Sequence, residues 1–217
     1  MRVCFLVSGN GGNLKFFYLA NKLGLIKNIE LFVIADRECS ALKFSHKRKI
    51  QSKVINYTRK ENSELLIGLK EISPDIIVTN WHKIIDKELV DKYSGRLINL
   101  HYSLLPSFPG MIGILPIKEA YKQGCKYIGA TCHYVDYGVD TGKIISQTVV
   151  SADTRIDSVI QNIYKNGCFI LLNSLLTVTK DTSLISLDGS DDFRFSPPLK
   201  FNTEVFNDSF WGNLLEL

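Results

Sequence analysis

Short apolar runs alternate with amphipathic segments along the first hundred residues of the chain. The strand-like runs recur at short intervals, at 2–8, 29–35, 53–55, 75–79 and 97–101. Segments with helical spacing separate them, at 13–23, 40–49, 61–72 and 87–93. This β-α-β-α order is typical of parallel sheets whose crossover connections are helices. We therefore expect an α/β fold with an open, mostly parallel twisted sheet and helices on both faces.

The pattern changes after residue 110. A predicted helix at about 115–123 precedes two predicted strands, 128–134 and 143–150, and a long helical run covers 157 to about 176. The segment from residue 180 starts polar, with a predicted turn at 188–192. It then carries six aromatic residues: Phe193, Phe195, Phe201, Phe206, Phe210 and Trp211. So many aromatic side chains predict a tail that packs on the domain or on a partner subunit.

Composition and charge exclude several classes of function. The 217 residues are 45% hydrophobic and 22% charged, as in ordinary globular proteins, and suffice to bury one sizeable core. A net charge of +4 is too small to indicate nucleic acid or an anionic membrane as a partner. No apolar run approaches the ~20 residues of a membrane span, and the N-terminal run has no cleavage site of a signal peptide. A cytoplasmic protein is expected.

The cysteines predict free thiols. They are odd in number, widely spaced and without a CxxC pair: Cys4, Cys39, Cys125, Cys132 and Cys168. A disulfide framework needs an even set, so a reducing compartment fits better. The one adjacent Cys/His pair, Cys132-His133, lies on a predicted strand, where neighbours point to opposite faces. We expect no metal site.

A glycine-rich loop follows the first predicted strand. Residues 8–13 read Ser-Gly-Asn-Gly-Gly-Asn and lead into a predicted helix. Glycines let a backbone approach a ligand closely, and the N–H groups of a helix's first turn favour an anion. The loop lacks the GxGxxG fingerprint and the lysine of a P-loop. It is either a tight turn without a ligand or, as we expect, a loop that binds a substrate phosphate at Gly11, Gly12 and Asn13.

Polar residues collect at the end of the fifth predicted strand. Asn99 and His101 are two residues apart and share one face, at the carboxyl end where open α/β sheets place their ligands. His133 lies on a later strand, and Asp140 follows in the turn at 136–142. An amide, an imidazole and a carboxylate suit acyl transfer without a covalent intermediate. From the residues alone, a structural Asn and His beside a turn-forming Asp is the other interpretation.

The motif around these residues resembles that of the folate-dependent formyltransferase family. Asn-x-His-x-Ser-Leu-Leu-Pro at 99–106 is followed by Gly110 and by Val-Asp-Thr-Gly at 139–142. The resemblance covers about residues 1–178, which predicts a catalytic domain there and a C-terminal extension at 179–217. It implies a catalytic triad of Asn99, His101 and Asp140. It also implies N10-formyltetrahydrofolate as formyl donor, a primary amine as acceptor and no metal.

The same resemblance implies where the donor binds. Two segments would contact the pterin through their backbone: Lys83, Ile84 and Ile85, and Tyr137, Gly138 and Val139. His133 corresponds to a family histidine near the site and is a further candidate. Attack of the amine on the formyl carbon would place negative charge on an oxygen that Asn99 and His101 stabilise, while Asp140 orients His101.

Departures from the family pattern bear on the acceptor. The loop at 8–14 resembles the phosphate loop of glycinamide ribonucleotide transformylase. Tyr102, however, stands where that enzyme usually has Pro, and 111–116 lacks its usual histidines. Asn166-Gly167 replaces a Glu-His pair whose Glu contacts the substrate ribose. Retained anion binding with lost ribose contacts favours a nucleotide-linked amino sugar, with glycinamide ribonucleotide as the alternative.

Other interpretations remain open at this point. The tail is too short for the tRNA-binding domain of methionyl-tRNA formyltransferases, so we expect no nucleic acid partner. We also expect no association with a membrane. A formyltetrahydrofolate deformylase would transfer the formyl group to water, but such enzymes carry an N-terminal regulatory domain. A nucleotide-binding module without catalysis is disfavoured by the intact trio of Asn99, His101 and Asp140. The sequence leaves a homodimer open.

Overall fold

The computed structural model describes residues 1–181, 183–187, 189 and 192–217. Its chain divides into two compact units. The first consists of Met1–Leu97, Asp181–Ser186 and Thr203–Leu217, and the second of Ile98–Lys180 and Leu187–Asn202. Most of the predicted turn at 188–192 lies outside the described residues.

The first unit is a parallel α/β arrangement. Its strands are β1 (Arg2–Val7), β2 (Glu30–Ala35), β3 (Gln51–Val54) and β4 (Ile76–Asn80). Its first four helices are α1 (Gly12–Lys22), α2 (Ser40–Lys47), α3 (Ser63–Ile72) and α4 (Lys87–Lys92). The strands run in the order β3-β2-β1-β4, all pairs parallel, with Val3 opposite both Leu31 and Ile76. Each strand is reached through a helix because parallel neighbours require a crossover.

The second unit is built on antiparallel strands. Its elements are β5 (Leu97–His101), α5 (Leu115–Lys122), β6 (Tyr127–Tyr134), β7 (Ile144–Ser151), α6 (Ile156–Thr179) and β8 (Phe195–Ser196). β5, β6, β7 and β8 pair in that order, each antiparallel to the next. The long helix α6 packs on β6 and β7, and most of its second half is buried. The predicted α/β class with a mixed, mostly parallel sheet is confirmed.

The C-terminal tail contributes to both units. The part of the tail that belongs to the first unit contains a 3₁₀ turn (Thr203–Val205) and the helix α7 (Asp208–Leu215). The rings of Phe206, Phe210 and Trp211 lie 5.2, 5.6 and 5.9 Å from that of Phe16 in α1. Neither α7 nor β8 was predicted, and Phe193 is almost fully exposed rather than packed. A domain boundary at 178/179 stays a prediction. No helix in the described parts of the chain is long and apolar enough to cross a membrane.

Candidate active site

The polar groups predicted from the 99–101 and 133–140 regions come together in the second unit. Asn99 of β5 lies opposite His133 of β6 in the antiparallel register, so both side chains project on the same face. His101 is two residues along the same strand and shares that face. Asp140 stands in the loop between β6 and β7 and reaches back to all three side chains.

Asp140 is the centre of this cluster. Its Oδ2 lies 3.3 Å from Nδ1 of His101, and its Oδ1 lies 3.5 Å from Nε2 of His133. The amide Nδ2 of Asn99 donates to Oδ1 of Asp140 at 3.3 Å and lies 3.3 Å from Nε2 of His133. His101, His133 and Asp140 are largely buried. The four side chains therefore form one connected, shielded polar network.

Backbone carbonyls bind one ring nitrogen of each histidine. Nε2 of His101 donates to the carbonyl oxygen of Phe108 at 2.9 Å, since a carbonyl can only accept. Nδ1 of His101 faces a second acceptor, the Asp140 carboxylate. Nδ1 of His133 donates to the carbonyl of Tyr134 at 2.8 Å. Its Nε2 lies 3.3 Å from the Asn99 amide nitrogen and 3.5 Å from Oδ1 of Asp140.

The pKa of Asp140 lies below the usual range of a carboxyl group. Burial alone would raise this pKa, but hydrogen bonds from His133 and from the backbone N–H of Gly110, together with the charge of His101, outweigh burial. The Gly110 N–H donates to Oδ2 at 2.8 Å. Asp140 is therefore ionised at neutral pH, and its Oδ2 faces Nδ1 of His101.

The loop at 136–142 requires its glycines. Asp140 has a left-handed backbone, with φ of +56°. A Cβ at Gly142 would overlap the carbonyl oxygen of Tyr134, and a Cβ at Gly138 would overlap the Thr141 hydroxyl. That hydroxyl donates to Asp136 at 2.7 Å and closes the turn. Of the predicted donor contacts here, Tyr137 and Val139 are exposed, as a ligand-facing turn requires.

The loop at 102–110 is held by hydrogen bonds to Thr131 of β6. The hydroxyl of Thr131 donates to the carbonyl of Ser103 at 2.7 Å and accepts from the N–H of Leu105 at 3.1 Å. Gln147 donates to the same hydroxyl at 3.0 Å. Phe108, in the same loop, has φ of +54°, an uncommon value for a non-glycine residue, and its carbonyl accepts from His101.

Tyr102 and Gly167 are geometrically linked in the second unit. A Cβ at Gly167 would lie 3.1 Å from Cε1 of Tyr102 and 3.4 Å from Cδ2 of Leu100. Gly167 lies in the interior of α6, where glycine costs about 1 kcal/mol relative to Ala. The missing side chain at 167 therefore makes room for the Tyr102 ring, so the two departures from the family pattern belong together.

The glycine loop lies in the first unit, at the start of α1. Gly11 is the N-cap residue with φ of +67°, and as a glycine it has no side chain with which to cap the helix. A Cβ at Gly11 would lie 2.6 Å from that of Ala41, whose N–H donates to the Gly9 carbonyl at 2.9 Å. Gly12 and Asn13 form the first turn of α1, where backbone N–H groups favour an anion.

The predicted donor segment at 83–85 joins this loop within the first unit. The N–H of His82 donates to the Ser8 hydroxyl at 2.9 Å, and Nδ2 of Asn13 lies 3.4 Å from Oδ1 of Asn80. Ile85 is buried, whereas Ile84 is exposed. The predicted phosphate loop and donor segment are thus structurally connected.

Three contacts were missed by the sequence interpretation. Asp36, at the end of β2, has its pKa held low against burial by Arg37, by the Ser8 hydroxyl and by Lys83. The carbonyl of Phe108 could not be predicted, because any residue supplies one. Tyr57, which contacts residues 84–86, lies in a loop without a recognisable motif. Within the described residues, no group of three or more His, Cys, Asp or Glu side chains is placed to hold a metal ion.

Comparison with known proteins places this geometry in a family. A formyltetrahydrofolate deformylase of Haemophilus influenzae is 41% identical over 100 residues, covering 45% of this chain and 35% of that protein. A phosphoribosylglycinamide formyltransferase of Bacillus subtilis is 32% identical over 143 residues, covering 65% of this chain and 67% of that protein. The present chain thus matches about a third of the deformylase.

The fold resembles that of solved formyltransferase structures. The crystal structure of glycinamide ribonucleotide transformylase 1 from Symbiobacterium toebii superposes with a TM-score of 0.73 at 23% identity, covering 93% of this chain and 94% of that chain. At that identity the likeness concerns the fold alone. Residues 1–168, most of the chain, match the formyl transferase family. The chain belongs to the formyl transferase family.

Proposed function

We propose that the chain transfers a formyl group from N10-formyltetrahydrofolate to a primary amine of a phosphate-bearing small molecule. The observation that carries this proposal is the buried cluster of Asn99, His101 and Asp140 in a chain of the formyl transferase family. A cytoplasmic location and a homodimer accompany the proposal as predictions.

Each of the two predicted donor segments, taken by itself, supports a flat heterocyclic donor. The turn at 136–142 exposes Tyr137, Gly138 and Val139. The segment at 83–85 exposes Ile84 while Ile85 is anchored in the core. Exposed backbone beside apolar side chains suits a pterin, which needs paired hydrogen bonds and a flat apolar contact.

The donor supplies the formyl carbon, and the residues of this chain supply the electrostatics. Addition of an amine places negative charge on the formyl oxygen, which N–H donors in a shielded site stabilise strongly. The amide of Asn99 and a ring N–H of His101 are such donors. Asp140 lies 3.3 Å from the His101 ring and fixes its orientation.

Proton movement uses the same groups. The attacking amine must be unprotonated, and its proton must leave as the formyl group is transferred. Asp140 is ionised and lies 3.3 Å from His101 and 3.5 Å from His133. We propose that it assists the movement of this proton to the folate nitrogen, which is released as the formyl group leaves it. His133 lies 3.3 Å from the Asn99 amide and 3.5 Å from Asp140, and in this proposal it orients both groups.

Two acceptors fit the first-unit loop, which we propose binds a phosphate. Glycinamide ribonucleotide is supported by the similarity to the Bacillus subtilis enzyme. A nucleotide-linked amino sugar is supported by the residues that differ, Tyr102 and Asn166-Gly167, which reshape the second unit beside His101. Both are phosphorylated primary amines, and the reaction is the same for each.

Hydrolysis of the donor is a second candidate function. It is favoured by the 41% identity to the Haemophilus influenzae deformylase. In that case water replaces the amine, while the Asn99, His101 and Asp140 cluster does the same electrostatic work.

The experiment is a donor-consumption assay with purified protein. Release of tetrahydrofolate is followed with no acceptor, with glycinamide ribonucleotide and with a panel of nucleotide-linked amino sugars. Amine-dependent release supports transfer and identifies the acceptor, and equal release without an amine identifies hydrolysis. A wild-type protein that releases no tetrahydrofolate under any of these conditions contradicts the proposal.

A further inference from the structure

A tyrosine outside every predicted motif contacts the predicted donor segment. Tyr57 lies between β3 and α3 and is 4% exposed. Its hydroxyl oxygen accepts from the N–H of Asp86 at 2.8 Å and lies 3.0 Å from Oδ2 of Asp86 and 3.2 Å from the carbonyl of Ile84. A phenol has one proton and can both donate and accept. One side chain therefore bonds to both ends of residues 84–86.

Asp86 extends this arrangement into α4. Its carboxylate caps the helix by accepting from the N–H of Leu89 at 3.1 Å, and Asn62 donates to the same oxygen at 3.0 Å. The other oxygen faces Tyr57. Asp86 is buried, and both of its carboxyl oxygens have hydrogen-bond partners. The end of the donor segment is therefore fixed to the core of the first unit.

Trp81 fixes the other end of the segment. Its ring stacks on that of Tyr57, with centroids 4.9 Å apart and planes inclined by 28°. The next residue, His82, bonds through its N–H to Ser8. Burial raises the pKa of Tyr57, so the hydroxyl keeps its proton and its role as a donor. The segment between these anchors exposes Ile84 to solvent.

We propose that Tyr57, acting with Asp86, is a positioning residue that sets the backbone of Ile84 and Ile85 for the formyl donor. This inference rests on the proposed function, since it concerns the same donor site. Binding that relies on backbone groups requires that backbone to be held before the ligand arrives, because ordering a loose segment weakens binding. The tyrosine does not touch the reacting atoms.

The test is Tyr57→Phe, which keeps the ring stacked on Trp81 and removes only the hydroxyl. We expect the KM for the formyl donor and the Kd for tetrahydrofolate to rise roughly tenfold, the effect of about 1.4 kcal/mol lost with one bonded hydroxyl. The KM for the amine and kcat at saturating donor change less than about twofold. Exchange of the amide hydrogens of residues 84–86 becomes faster.

Tyr18→Phe is the matched control. Tyr18 also lies in the first unit and packs edge-on against Phe44, with centroids 5.2 Å apart, but lies outside the donor segment. Removing its hydroxyl is expected to leave both KM values, the Kd for tetrahydrofolate, kcat and the amide exchange of residues 84–86 unchanged. Asp86→Ser, which retains a capping side chain, is expected to reproduce the Tyr57→Phe effect. The double variant is expected to bind the donor no more weakly than either single variant.

The outcomes separate the two proposals. A Tyr57→Phe variant with wild-type donor KM and Kd overturns the positioning role, even if its thermal stability falls, because a merely structural residue lowers stability without changing KM. A wild-type chain that binds no tetrahydrofolate overturns the proposed function, and the donor role of Tyr57 with it.

Discussion

Nδ1 of His101 lies 3.3 Å from Oδ2 of Asp140, and the two side chains are only 6% and 11% exposed. The opposite ring nitrogen bonds to the Phe108 carbonyl at 2.9 Å. The ring is therefore held between two acceptors, the Phe108 carbonyl and the ionised Asp140 carboxylate. In a site this shielded, the orientation of His101 depends on Asp140.

Asp140→Asn tests this dependence. The variant keeps the shape of the side chain but removes the charge opposite His101, so we expect kcat to fall by roughly 10²–10⁴ while the protein stays folded. Steady-state kinetics and circular dichroism measure both. Asp153→Asn, an exposed carboxylate in the same unit, should retain full activity. Wild-type turnover in Asp140→Asn would remove Asp140 from the mechanism.

The low pKa of Asp140 predicts an acid-dependent contribution to stability. A carboxyl group whose pKa is lower in the folded state stabilises the fold above its ordinary pKa of about 3.9 and loses that contribution as pH falls through its folded pKa. The difference in free energy of unfolding between wild type and Asp140→Asn should therefore be largest at pH 5–7 and shrink below about pH 4. Urea titrations across this range measure it. A difference that grows with acid would refute the assignment.

His133→Ala separates orientation from charge. The variant removes a ring that lies beside both the Asn99 amide and Asp140 but leaves the contact of Asp140 with His101, so we expect kcat to fall by at most roughly 10²-fold, less than in Asp140→Asn. Substrate KM values should change little. A loss as large as that of Asp140→Asn would show that His133 does more than orient Asn99.

Gly11→Ala tests the glycine loop, with Gly24→Ala as its control. Both glycines have left-handed backbones, which cost other residues roughly 1–2 kcal/mol. Only Gly11 faces a neighbour, the Cβ of Ala41 at 2.6 Å from an added Cβ, whereas Gly24 faces open space. Gly11→Ala should therefore lose more free energy of unfolding and should raise the acceptor KM. Equal losses in urea unfolding would exclude the Ala41 contact.

Gly167→Ala measures the coupling to Tyr102. In the helix interior, Ala gains about 1 kcal/mol over Gly, but its Cβ would press on the Tyr102 ring at 3.1 Å. We expect Gly167→Ala to be more favourable by roughly 1–2 kcal/mol in a Tyr102→Ala background than in the wild type. Thermal unfolding of the four proteins completes the cycle. Strict additivity would mean that the two positions are independent.

The regular elements could be predicted because their patterns are local. The strand at 97–101 was predicted with its observed bounds, and the other predicted strands and helices end within a few residues of the observed ones. The tail was harder. β8 has two residues, too few for a period, and α7 owes its place to the contact of Phe210 and Trp211 with Phe16, nearly 200 residues earlier.

The site was predictable only where side chains form a motif. The common face of Asn99 and His101 follows from strand geometry, and their contact with Asp140 is observed. The Phe108 carbonyl binds His101 and the Tyr57 hydroxyl binds the N–H of Asp86, and no residue pattern encodes these bonds because any residue supplies a carbonyl and nearly any an N–H. The Tyr102 ring packs against α6 where Gly167 has no side chain, a contact that only the three-dimensional structure shows.

Formyl transfer by the cluster of Asn99, His101 and Asp140 is tested most directly by the release of tetrahydrofolate from N10-formyltetrahydrofolate. The release is measured with and without amine acceptors for wild type and for His101→Ala. We expect amine-dependent release by the wild type and a rate lower by roughly 10²-fold or more in folded His101→Ala. Release that is unchanged in His101→Ala, or absent from the wild type with every acceptor and with water, would contradict formyl transfer by this cluster.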